Sequence, residues 1–417
     1  MKIDSKQFSG SCECGHCHDI DVREMVVESG AIKLLSDRLQ AYHTPVLIAD
    51  ANTKAAAVGH IPGLFDKYDT IELQGDEIHA DERQVAYVEE NISAAADVLV
   101  AVGSGTVHDI TRYVAYHHGI PFISVPTAAS VDGFVSTVAA MTWHGMKISS
   151  VTASPVTVLA DTDIFCEAPY RLTASGVSDL LGKYTALADW RIANIITGEY
   201  LCERIFSLVK QAVSEVEDAL ELIHKQDKDA MEKLMYALLL SGLAMQMLGN
   251  SRPASGAEHQ LSHLWEMSLI NMPLDALHGE KVSVGLVLCL EEYEKIRAAI
   301  LSGSCGIDAS KNGIETDLLK EHIKVSKICE QMIEANNGHI LALGHLDKLQ
   351  ACLPRIAEVL GELPAGAEMR ERLKKYDCIY SMQQIGLPDN LRELSLALSP
   401  YNRYKITLMR LRKLLIY

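Results

Sequence analysis

The sequence predicts an N-terminal α/β domain with a parallel sheet, followed by an all-helical C-terminal domain. Over residues 25–165, short unbroken apolar runs alternate with helical patterns, as expected for strands buried on both faces of a parallel sheet. From about residue 169 the pattern changes to long helical periodicity, with Gly and Pro mostly at breaks. A length of 417 residues also exceeds what a single hydrophobic core usually supports.

The individual elements follow from these patterns. Residues 45–50, 97–102 and 120–125 are the clearest strands, residues 137–151 form a hairpin, and residues 156–161 are the last strand. Helices are predicted over residues 200–222 and 231–248. We therefore expect three parts: an N-terminal segment (1–24), an α/β domain (25–168) and a helical domain (169–417).

Composition excludes several classes of partner. The formal net charge of −17, without a long basic run before the C-terminus, argues against nucleic acid. No 18-residue apolar segment predicts an integral membrane span, and the first residues lack the apolar stretch of a signal peptide. Ten cysteines, if they are free thiols, are compatible with a reducing compartment. We expect a cytoplasmic protein.

A glycine-rich turn indicates phosphate binding. Gly103, Gly105 and Thr106 follow an apolar run and precede a segment with helical spacing. A backbone without Cβ lets phosphate oxygens approach, and the N–H groups at a helix start bind an anion. The pattern is not the full six-position dinucleotide fingerprint, and a tight turn that needs glycine for steric reasons is an equally good explanation.

A second loop strengthens the dinucleotide hypothesis. It follows the next strand, at the edge of the sheet where ligands bind in open α/β folds. Thr127 and Ser130 are candidate donors to the cofactor, and Asp132 is a candidate to hold a hydroxyl group. Asp50, at the end of an earlier strand, is a candidate acceptor for the adenosine ribose hydroxyls, which would favour NAD; a turn-forming role is the alternative.

Three segments far apart in the chain contain ligand types of a transition-metal site: Asp179, the pair His259 and His263, and His278. Each has an ordinary explanation as well. Asp179 is expected near the start of a helix that continues to Trp190, with Lys183 one turn further on the same face, and the helix dipole favours an acid at this position. The His pair shares a helix face but lacks the Glu of the metalloprotease pattern.

Surface or packing roles are the alternatives for all three histidines. For His278, the following Gly279 is expected to end or turn its segment. The metal hypothesis therefore depends on the three segments being taken together.

Five motifs in matching order resemble one family, the sn-glycerol-1-phosphate dehydrogenases. They are Gly103-Ser-Gly-Thr-Val-His-Asp109, Pro126-Thr-Ala-Ala-Ser-Val-Asp-Gly133, Gly176-Val-Ser-Asp-Leu-Leu-Gly-Lys183, Ser255-Gly-Ala-Glu-His-Gln-Leu-Ser-His263 and His278-Gly279. That family belongs to the superfamily of iron-type alcohol dehydrogenases, glycerol dehydrogenases and dehydroquinate synthases. The resemblance covers about residues 25–345. It implies that the α/β domain (25–168) binds the dinucleotide, that the helical domain (169–417) binds metal and substrate, and that the active site lies in the cleft between them.

The resemblance implies specific roles. A divalent metal ion, zinc or nickel, would be held by Asp179, His259 and His278. The substrate would face Asp132, Asp179 and His263. NAD(H) or NADP(H) would contact the two loops and a following serine, which are Gly105, Thr106, Val107, His108, Asp109, Thr127, Ala128, Ala129, Ser130 and Ser136.

The implied reaction is reversible hydride transfer between NAD(P)H and dihydroxyacetone phosphate, giving sn-glycerol 1-phosphate. The metal would act as a Lewis acid, and either His263 or a metal-bound water would supply the proton, with Asp132 beside the substrate. Candidates for the substrate phosphate are Lys147, Lys183, Arg252 and Lys281.

Three other functions stay open. They are a glycerol or other polyol dehydrogenase, a lyase of the dehydroquinate synthase type, and a non-catalytic sensor of the dinucleotide and metal. The expected assembly is a homo-oligomer.

Two segments near the chain ends lie outside the resemblance. Residues 12–18 contain three thiols and two imidazoles, a density that suggests either auxiliary metal capture or a mobile, redox-sensitive tail. Residues 401–417 alternate basic and apolar residues at helical spacing, which predicts a basic C-terminal helix. Membrane-surface binding, docking on the protein and a subunit interface are the alternatives for that helix.

Overall fold

Contacts divide the chain into two units in the computed structural model, which describes residues 2–75 and 78–417. The first unit comprises Met1–Leu180 and Gln211–Asn250, and the second comprises Leu181–Lys210 and Ser251–Tyr417. The contacts thus assign the long helix predicted over residues 231–248 to the first unit. The boundary near residue 168 stays a prediction drawn from the sequence.

The strands of the described residues follow in chain order. They are β1 (Lys2–Ile3), β2 (Gly10–Ser11), β3 (Cys17–His18), β4 (Glu24–Glu28), β5 (Pro45–Ala49), β6 (Asp69–Glu72), β7 (Val98–Gly103), β8 (Phe122–Pro126), β9 (Val138–Trp143), β10 (Met146–Val151), β11 (Thr157–Asp161), β12 (Gly306–Ile307) and β13 (Leu415–Ile416).

The α-helices begin in the first unit and continue to the C-terminus, with short 3₁₀ turns among them. They are α1 (Leu35–Leu39), α2 (Ala51–Val58), α3 (Leu64–Lys67), α4 (Glu82–Asn91), α5 (Gly105–His118), α6 (Thr162–Glu167), α7 (Tyr170–Leu181), α8 (Lys183–Thr197), α9 (Glu203–His224), α10 (Lys228–Leu248), α11 (Ala257–Glu266), α12 (His278–Ser302), α13 (Thr316–His322), α14 (Ser326–Ala335), α15 (Leu343–Gly361), α16 (Gly366–Lys375), α17 (Arg392–Leu398) and α18 (Leu408–Leu411).

A seven-stranded sheet organises the first unit, in the order β1-β4-β11-β8-β7-β5-β6. Every neighbouring pair is parallel except β1 with β4. Strand residues alternate between two apolar cores: Val98, Val100 and Val102 of β7 pack on one face, and Leu99 and Ala101 on the other. This alternation explains why the strands appear in the sequence as continuous apolar runs.

Helices cover both faces of this sheet, and the winding direction reverses between β5 and β7. Ala57 of α2 joins the core on one face, whereas Val107 and Ile110 of α5 join the core on the opposite face. Loops at the carboxyl ends of β5 and β7 therefore diverge. In doubly wound folds this reversal point is where a ligand binds.

The predicted strands at 45–50, 97–102, 120–125 and 156–161 are confirmed as β5, β7, β8 and β11. The predicted hairpin is confirmed as β9 and β10, with Trp143 opposite Met146. The two long predicted helices are confirmed as α9 and α10. The α/β character of the first part and the helical character of the second are therefore as expected.

Helices form nearly all of the second unit around an apolar core. Trp265 of α11 and Tyr293 of α12 lie in this core and are almost fully buried. The short ladder of β12 with β13 is antiparallel and adds a small exception to the all-helical expectation. None of the helices in residues 2–75 and 78–417 combines the length and the apolar character needed to cross a membrane.

The prediction of a basic C-terminal helix is wrong. Residues 401–417 contain only the four-residue helix α18, short 3₁₀ turns and strand β13. The basic residues are paired within the second unit: Arg410 donates to Asn336 Oδ1 at 2.7 Å, and Arg412 donates to Glu292 Oε1 at 2.6 Å. The C-terminal segment is therefore docked on the protein, which was one of the three alternatives.

Candidate active site

The predicted phosphate turn joins β7 to α5 in the first unit. A Cβ at Gly103 would lie 2.7 Å from Val107 Cγ2, so the turn needs glycine for packing, as the alternative explanation held. Ser104, which precedes α5, does not cap the helix with its side chain. The N–H groups of the first turn, at Gly105 and Thr106, therefore suit an anionic ligand.

Val107 and His108 follow in α5, but their side chains are used for packing. His108 is almost fully buried, and its ring nitrogens lie 2.8 Å from Ser104 O and 2.8 Å from Ser124 Oγ. Burial lowers the pKa of His108 to about 3, so the ring is neutral. These two residues could therefore contact a cofactor only through their backbone atoms.

Asp109, another predicted cofactor residue, pairs with a buried arginine that the sequence did not single out. Arg112 Nη1 lies 3.1 Å from Asp109 Oδ1 and donates to Val138 O at 2.8 Å. Its other terminal nitrogen donates to Gly133 O. One cation thus holds the turn after β7 and the loop after β8 together. The signal in the sequence is an Arg within an apolar helix face, three residues after an Asp.

The second predicted loop follows β8, directly beside the first. Thr127 N–H donates to Gly103 O at 3.2 Å, and Thr127 and Ser130 are buried with Ala128 and Ala129 between them. A Cβ at Gly176 of α7 would lie 2.0 Å from Ala129 O. The helix therefore fixes the path of this loop by direct backbone contact.

Asp132, predicted to face the substrate, is held from two sides. Its carboxylate accepts a hydrogen bond from Ser241 Oγ of α10 at 2.7 Å, and its backbone N–H donates to Asp179 Oδ2 at 3.1 Å. The structure thus brings together Asp132 and Asp179, two of the predicted substrate residues. Ser241 was missed in the sequence because an isolated Ser within a long apolar helix has no local signature.

Asp179 is fully buried, but its predicted place at a helix start is wrong. It lies two residues before the end of α7, and Lys183 begins the next helix after Gly182. A carboxylate near a helix C-terminus is disfavoured by the helix dipole. The dipole explanation for this acid therefore fails, which favours a functional role.

Two other predicted cofactor residues make local hydrogen bonds. Asp50 caps α2 by accepting from Thr53 N–H at 2.9 Å, which is the turn role left open for it. Its position at the carboxyl end of β5 still lies at the point where the winding reverses. Ser136 Oγ donates to Val138 O at 3.0 Å and is buried. The ribose and dinucleotide contacts of these two residues stay predictions.

Three imidazoles converge in the second unit. The ring centroids of His259 and His278 are 5.2 Å apart, those of His263 and His278 are 5.8 Å apart, and those of His259 and His263 are 6.1 Å apart. His259 and His263 share one face of α11 as predicted. His278 is the first residue of α12, and Gly279 continues that helix, so the expectation that Gly279 ends the segment is wrong.

A carboxylate orients each of two imidazoles. Glu258 Oε1 lies 2.7 Å from His259 Nδ1, and Glu266 Oε1 lies 2.8 Å from His278 Nδ1. Metal-bound histidines commonly have such a carboxylate on the second ring nitrogen, which directs Nε2 to the metal. These oriented imidazoles therefore suit a divalent transition-metal ion. Glu266 had not been identified from the sequence.

Glu258 is itself buried within a complete hydrogen-bond shell. Thr185 Oγ1 donates to its Oε2 at 2.6 Å, and the Gly256 N–H donates to its Oε1 at 2.7 Å. Burial raises the pKa of Glu258, but hydrogen bonds from His259, Thr185 and Gly256 outweigh burial and lower it. The group is thus a carboxylate that orients His259.

Arg403 places a positive charge near His263. Burial, followed by the charge of Arg403, lowers the pKa of His263 well below its usual value. Lys405 donates to Ser255 O at 2.7 Å, and burial together with Arg252 and Arg403 lowers its pKa to about 7. These cations form an electropositive patch in the second unit, defined here as Arg252, Arg403 and Lys405.

The four residues predicted as candidates for binding the substrate phosphate differ in their surroundings. Arg252 belongs to the patch, although Glu199 accepts two hydrogen bonds from it at 2.6 Å each. Lys281 donates to Ala276 O at 2.6 Å, Lys183 is fully buried, and Lys147 lies on the hairpin strand β10. Arg403 and Lys405 were missed because the sequence attributed residues 401–417 to an amphipathic helix.

Comparison with known proteins identifies the family. The profile described as iron-containing alcohol dehydrogenase matches residues 26–169. A glycerol-1-phosphate dehydrogenase of Bacillus licheniformis is 38% identical over 71% of this chain and 77% of its own length. One of Geobacillus stearothermophilus is 34% identical over 92% of this chain and 91% of its own.

The fold agrees with that assignment. The crystal structure of glycerol dehydrogenase from Schizosaccharomyces pombe superposes with a TM-score of 0.53 at 17% identity, covering 93% of this chain and 94% of the other. At that identity the similarity establishes the fold alone. The sequence relationships are closer, and the one with the Geobacillus stearothermophilus protein extends over nearly the whole chain. This chain belongs to the glycerol-1-phosphate dehydrogenase family.

Proposed function

We propose that this chain reduces dihydroxyacetone phosphate to sn-glycerol 1-phosphate with NADH or NADPH, using a divalent metal ion. The observation that carries the proposal is the group of three imidazoles, two of them oriented by carboxylates, in a chain whose relatives are named glycerol-1-phosphate dehydrogenase (NAD(P)+). Structural packing alone does not call for two carboxylate–imidazole pairs, one buried and one partly buried, on adjacent helices.

Asp179, His259 and His278 would hold the ion, zinc or nickel. Two imidazoles and a carboxylate are the ligands of a catalytic site that keeps a position open, and the ion would polarise the substrate carbonyl. Glu258 and Glu266 would fix the orientation of the two rings. The orientation of the metal-binding rings would therefore be set by the protein and would not depend on the substrate.

The dinucleotide would lie along the carboxyl edge of the sheet and supply the hydride. Its pyrophosphate would accept from the N–H groups of Gly105 and Thr106 at the start of α5. The loop from Thr127 to Ser130 would flank it, with Gly176 setting the position of that loop. Arg112 would hold both loops at a fixed separation.

Asp132 and His263 would act on the substrate. Asp132 would accept a hydrogen bond from a substrate hydroxyl, with its orientation fixed by Ser241. His263 lies on the same helix face as His259 and would donate or relay the proton that the reduced oxygen requires. Its neutral state at neutral pH suits a relay that does not retain a proton.

The substrate phosphate would bind the electropositive patch. Arg403 and Lys405 accompany Arg252 in the same unit as the three imidazoles, and Arg403 is close enough to His263 to lower its pKa. A phosphate needs several such donors. This patch also favours a phosphorylated substrate over glycerol, and so disfavours the polyol dehydrogenase alternative.

Substrate comparison tests the proposal. Metal-loaded protein is given dihydroxyacetone phosphate or dihydroxyacetone with NADH or NADPH, and loss of nicotinamide absorbance is followed. We expect turnover of the phosphorylated substrate only, and a KM at least tenfold higher in Arg403→Gln. Equal use of dihydroxyacetone would instead identify a polyol dehydrogenase. Phosphate release without net cofactor consumption would identify a lyase.

We also propose a cytoplasmic location and a homo-oligomer. All ten cysteines are free thiols, which suits a reducing compartment. Val151 of the hairpin strand β10 is 73% exposed, and we propose that it contacts a second copy. Light scattering of the purified protein measures the assembly, and a monomer would contradict it.

A further inference from the structure

The N-terminal hairpin brings together several metal-ligand side chains that the proposed function does not use. Strands β2 and β3 pair antiparallel, and the turn is closed by hydrogen bonds from Cys12 N–H to His16 O and from Gly15 N–H to Cys12 O, each 3.0 Å long. Gly15 has a φ of +87°, which side-chain-bearing residues rarely adopt. This local folding returns the chain so that His18 lies beside the cysteines.

The donor atoms have the spacing of a metal site. Cys12 Sγ, Cys14 Sγ and a ring nitrogen of His18 all lie within 4.8 Å of one another. The distance from Cys14 Sγ to His18 Nε2 is 3.5 Å. Zinc–sulfur and zinc–nitrogen bonds of about 2.3 and 2.0 Å at a tetrahedral angle separate the two donors by about 3.5 Å.

The imidazole is already oriented for coordination. His18 is almost fully buried, and its Nδ1 lies 2.8 Å from Met247 O of α10. Because a carbonyl only accepts, Nδ1 carries the proton and donates it. Nε2, which faces Cys14, is then the lone-pair nitrogen. A backbone carbonyl on the second nitrogen is a common arrangement around metal-bound histidine.

We propose that Cys12, Cys14 and His18 bind a structural zinc ion, separate from the active-site metal. Two thiolates and an imidazole are the ligands of structural zinc sites, and the thiol protons are released on binding. Structural zinc is four-coordinate, so one further donor completes the site. Cys17 is exposed on the hairpin and is not part of this set.

The ion would fasten the hairpin to α10. Besides the bond from His18 to Met247, the Asp21 N–H donates to Gln246 Oε1 at 3.2 Å. Gln246 in turn donates to Val135 O, and the same helix carries Ser241, which holds Asp132. Zinc at the hairpin would therefore stabilise the helix that positions a substrate residue.

Cobalt substitution tests the site in the full-length, reduced protein. The proposed active-site ligands contain no sulfur, so a thiolate-to-cobalt charge-transfer band reports only the hairpin. We expect this band in the wild type and in Cys17→Ser, and at least a tenfold weaker band in Cys14→Ser. Lack of the band in the wild type, or an unchanged band in Cys14→Ser, would overturn the proposal.

A second measurement needs no substitution and no dehydrogenase activity. The wild type is alkylated with and without zinc chloride, and each cysteine is quantified by mass spectrometry. Zinc coordination removes the free thiolate that is the nucleophile. We expect Cys12 and Cys14 to react at least tenfold more slowly with zinc while Cys17 is unaffected. Equal rates with and without zinc would contradict the proposal.

Discussion

Glu266 Oε1 lies 2.8 Å from His278 Nδ1, so a carboxylate on α11 orients the imidazole that begins α12. The same carboxylate oxygen lies 3.8 Å from Lys281 Nζ, one helical turn beyond His278. Glu258 and His259 repeat the relationship within α11 at 2.7 Å. The second unit therefore contains two carboxylate–imidazole pairs, whose rings we propose as metal ligands.

Glu266→Gln is expected to weaken metal binding without abolishing it. The amide still accepts a hydrogen bond from His278 but no longer supplies charge, and loss of such a partner typically costs about 10- to 100-fold in metal affinity. Competition with a chromogenic chelator measures the affinity. Glu203→Gln, which alters an exposed ion pair with Arg191, is the matched control. Equal affinities in the two variants would contradict the role assigned to Glu266.

Ser241→Ala is expected to lower kcat/KM for dihydroxyacetone phosphate by about tenfold. A hydrogen bond to a charged group contributes about 1.5 kcal/mol or more, and this one orients Asp132. Steady-state kinetics measure the change. Ser241→Thr keeps the hydroxyl and should restore activity, whereas Ser214→Ala, at an exposed position on α9, should have no effect. If threonine failed to rescue, bulk rather than the hydrogen bond would explain the loss.

Gly176→Ala is expected to disturb cofactor binding. The added Cβ would meet Ala129 O at 2.0 Å, so the loop from Thr127 to Ser130 must move. We expect at least a tenfold higher dissociation constant for NADH, measured by fluorescence titration, together with a lower Tm. Gly59→Ala is the control, because a Cβ there meets nothing within 4 Å. Unchanged NADH affinity in a folded Gly176→Ala protein would remove this loop from the cofactor site.

Lys405 should make substrate affinity depend on pH. Burial and the neighbouring cations lower the pKa of its amine to about 7, so the group loses its charge as the pH rises above 7. We expect KM for dihydroxyacetone phosphate to rise between pH 7 and 9. Lys405→Met should have a high KM over the whole range, with a weaker pH dependence. An identical pH dependence in Lys405→Met would contradict phosphate binding by this residue.

The same pKa has the opposite consequence for stability. An unfolded lysine has a pKa near 10.4, so between about pH 7 and 10 the unfolded state binds more protons than the folded state. Through Lys405, the free energy of unfolding therefore rises with pH in this window. In urea titrations, the free energy of unfolding of the wild type should increase relative to that of Lys405→Met as the pH increases. Lys210→Met, at an exposed ion pair, serves as the control.

Local pattern predicted the sheet because its strands are buried on both faces and so contain unbroken apolar runs. It failed at Asp179 because α7 and α8 are separated only by Gly182, and a single glycine gives no clear boundary. It also failed at Arg403 and Lys405, whose spacing looks helical although tertiary contacts hold that segment in short turns. Ser241 holds Asp132, and Glu266 holds His278. Each of these partners comes from another element, and no sequence spacing indicates such contacts.

The stereochemistry of the product tests the proposed function most directly. Protein stripped of metal, and then restored with zinc or nickel, is supplied with dihydroxyacetone phosphate and NADH or NADPH, and the glycerol phosphate formed is resolved on a chiral column. We expect no product without metal and the sn-1 isomer alone after restoration. Formation of the sn-3 isomer, or full activity in the metal-free protein, would contradict the proposed function.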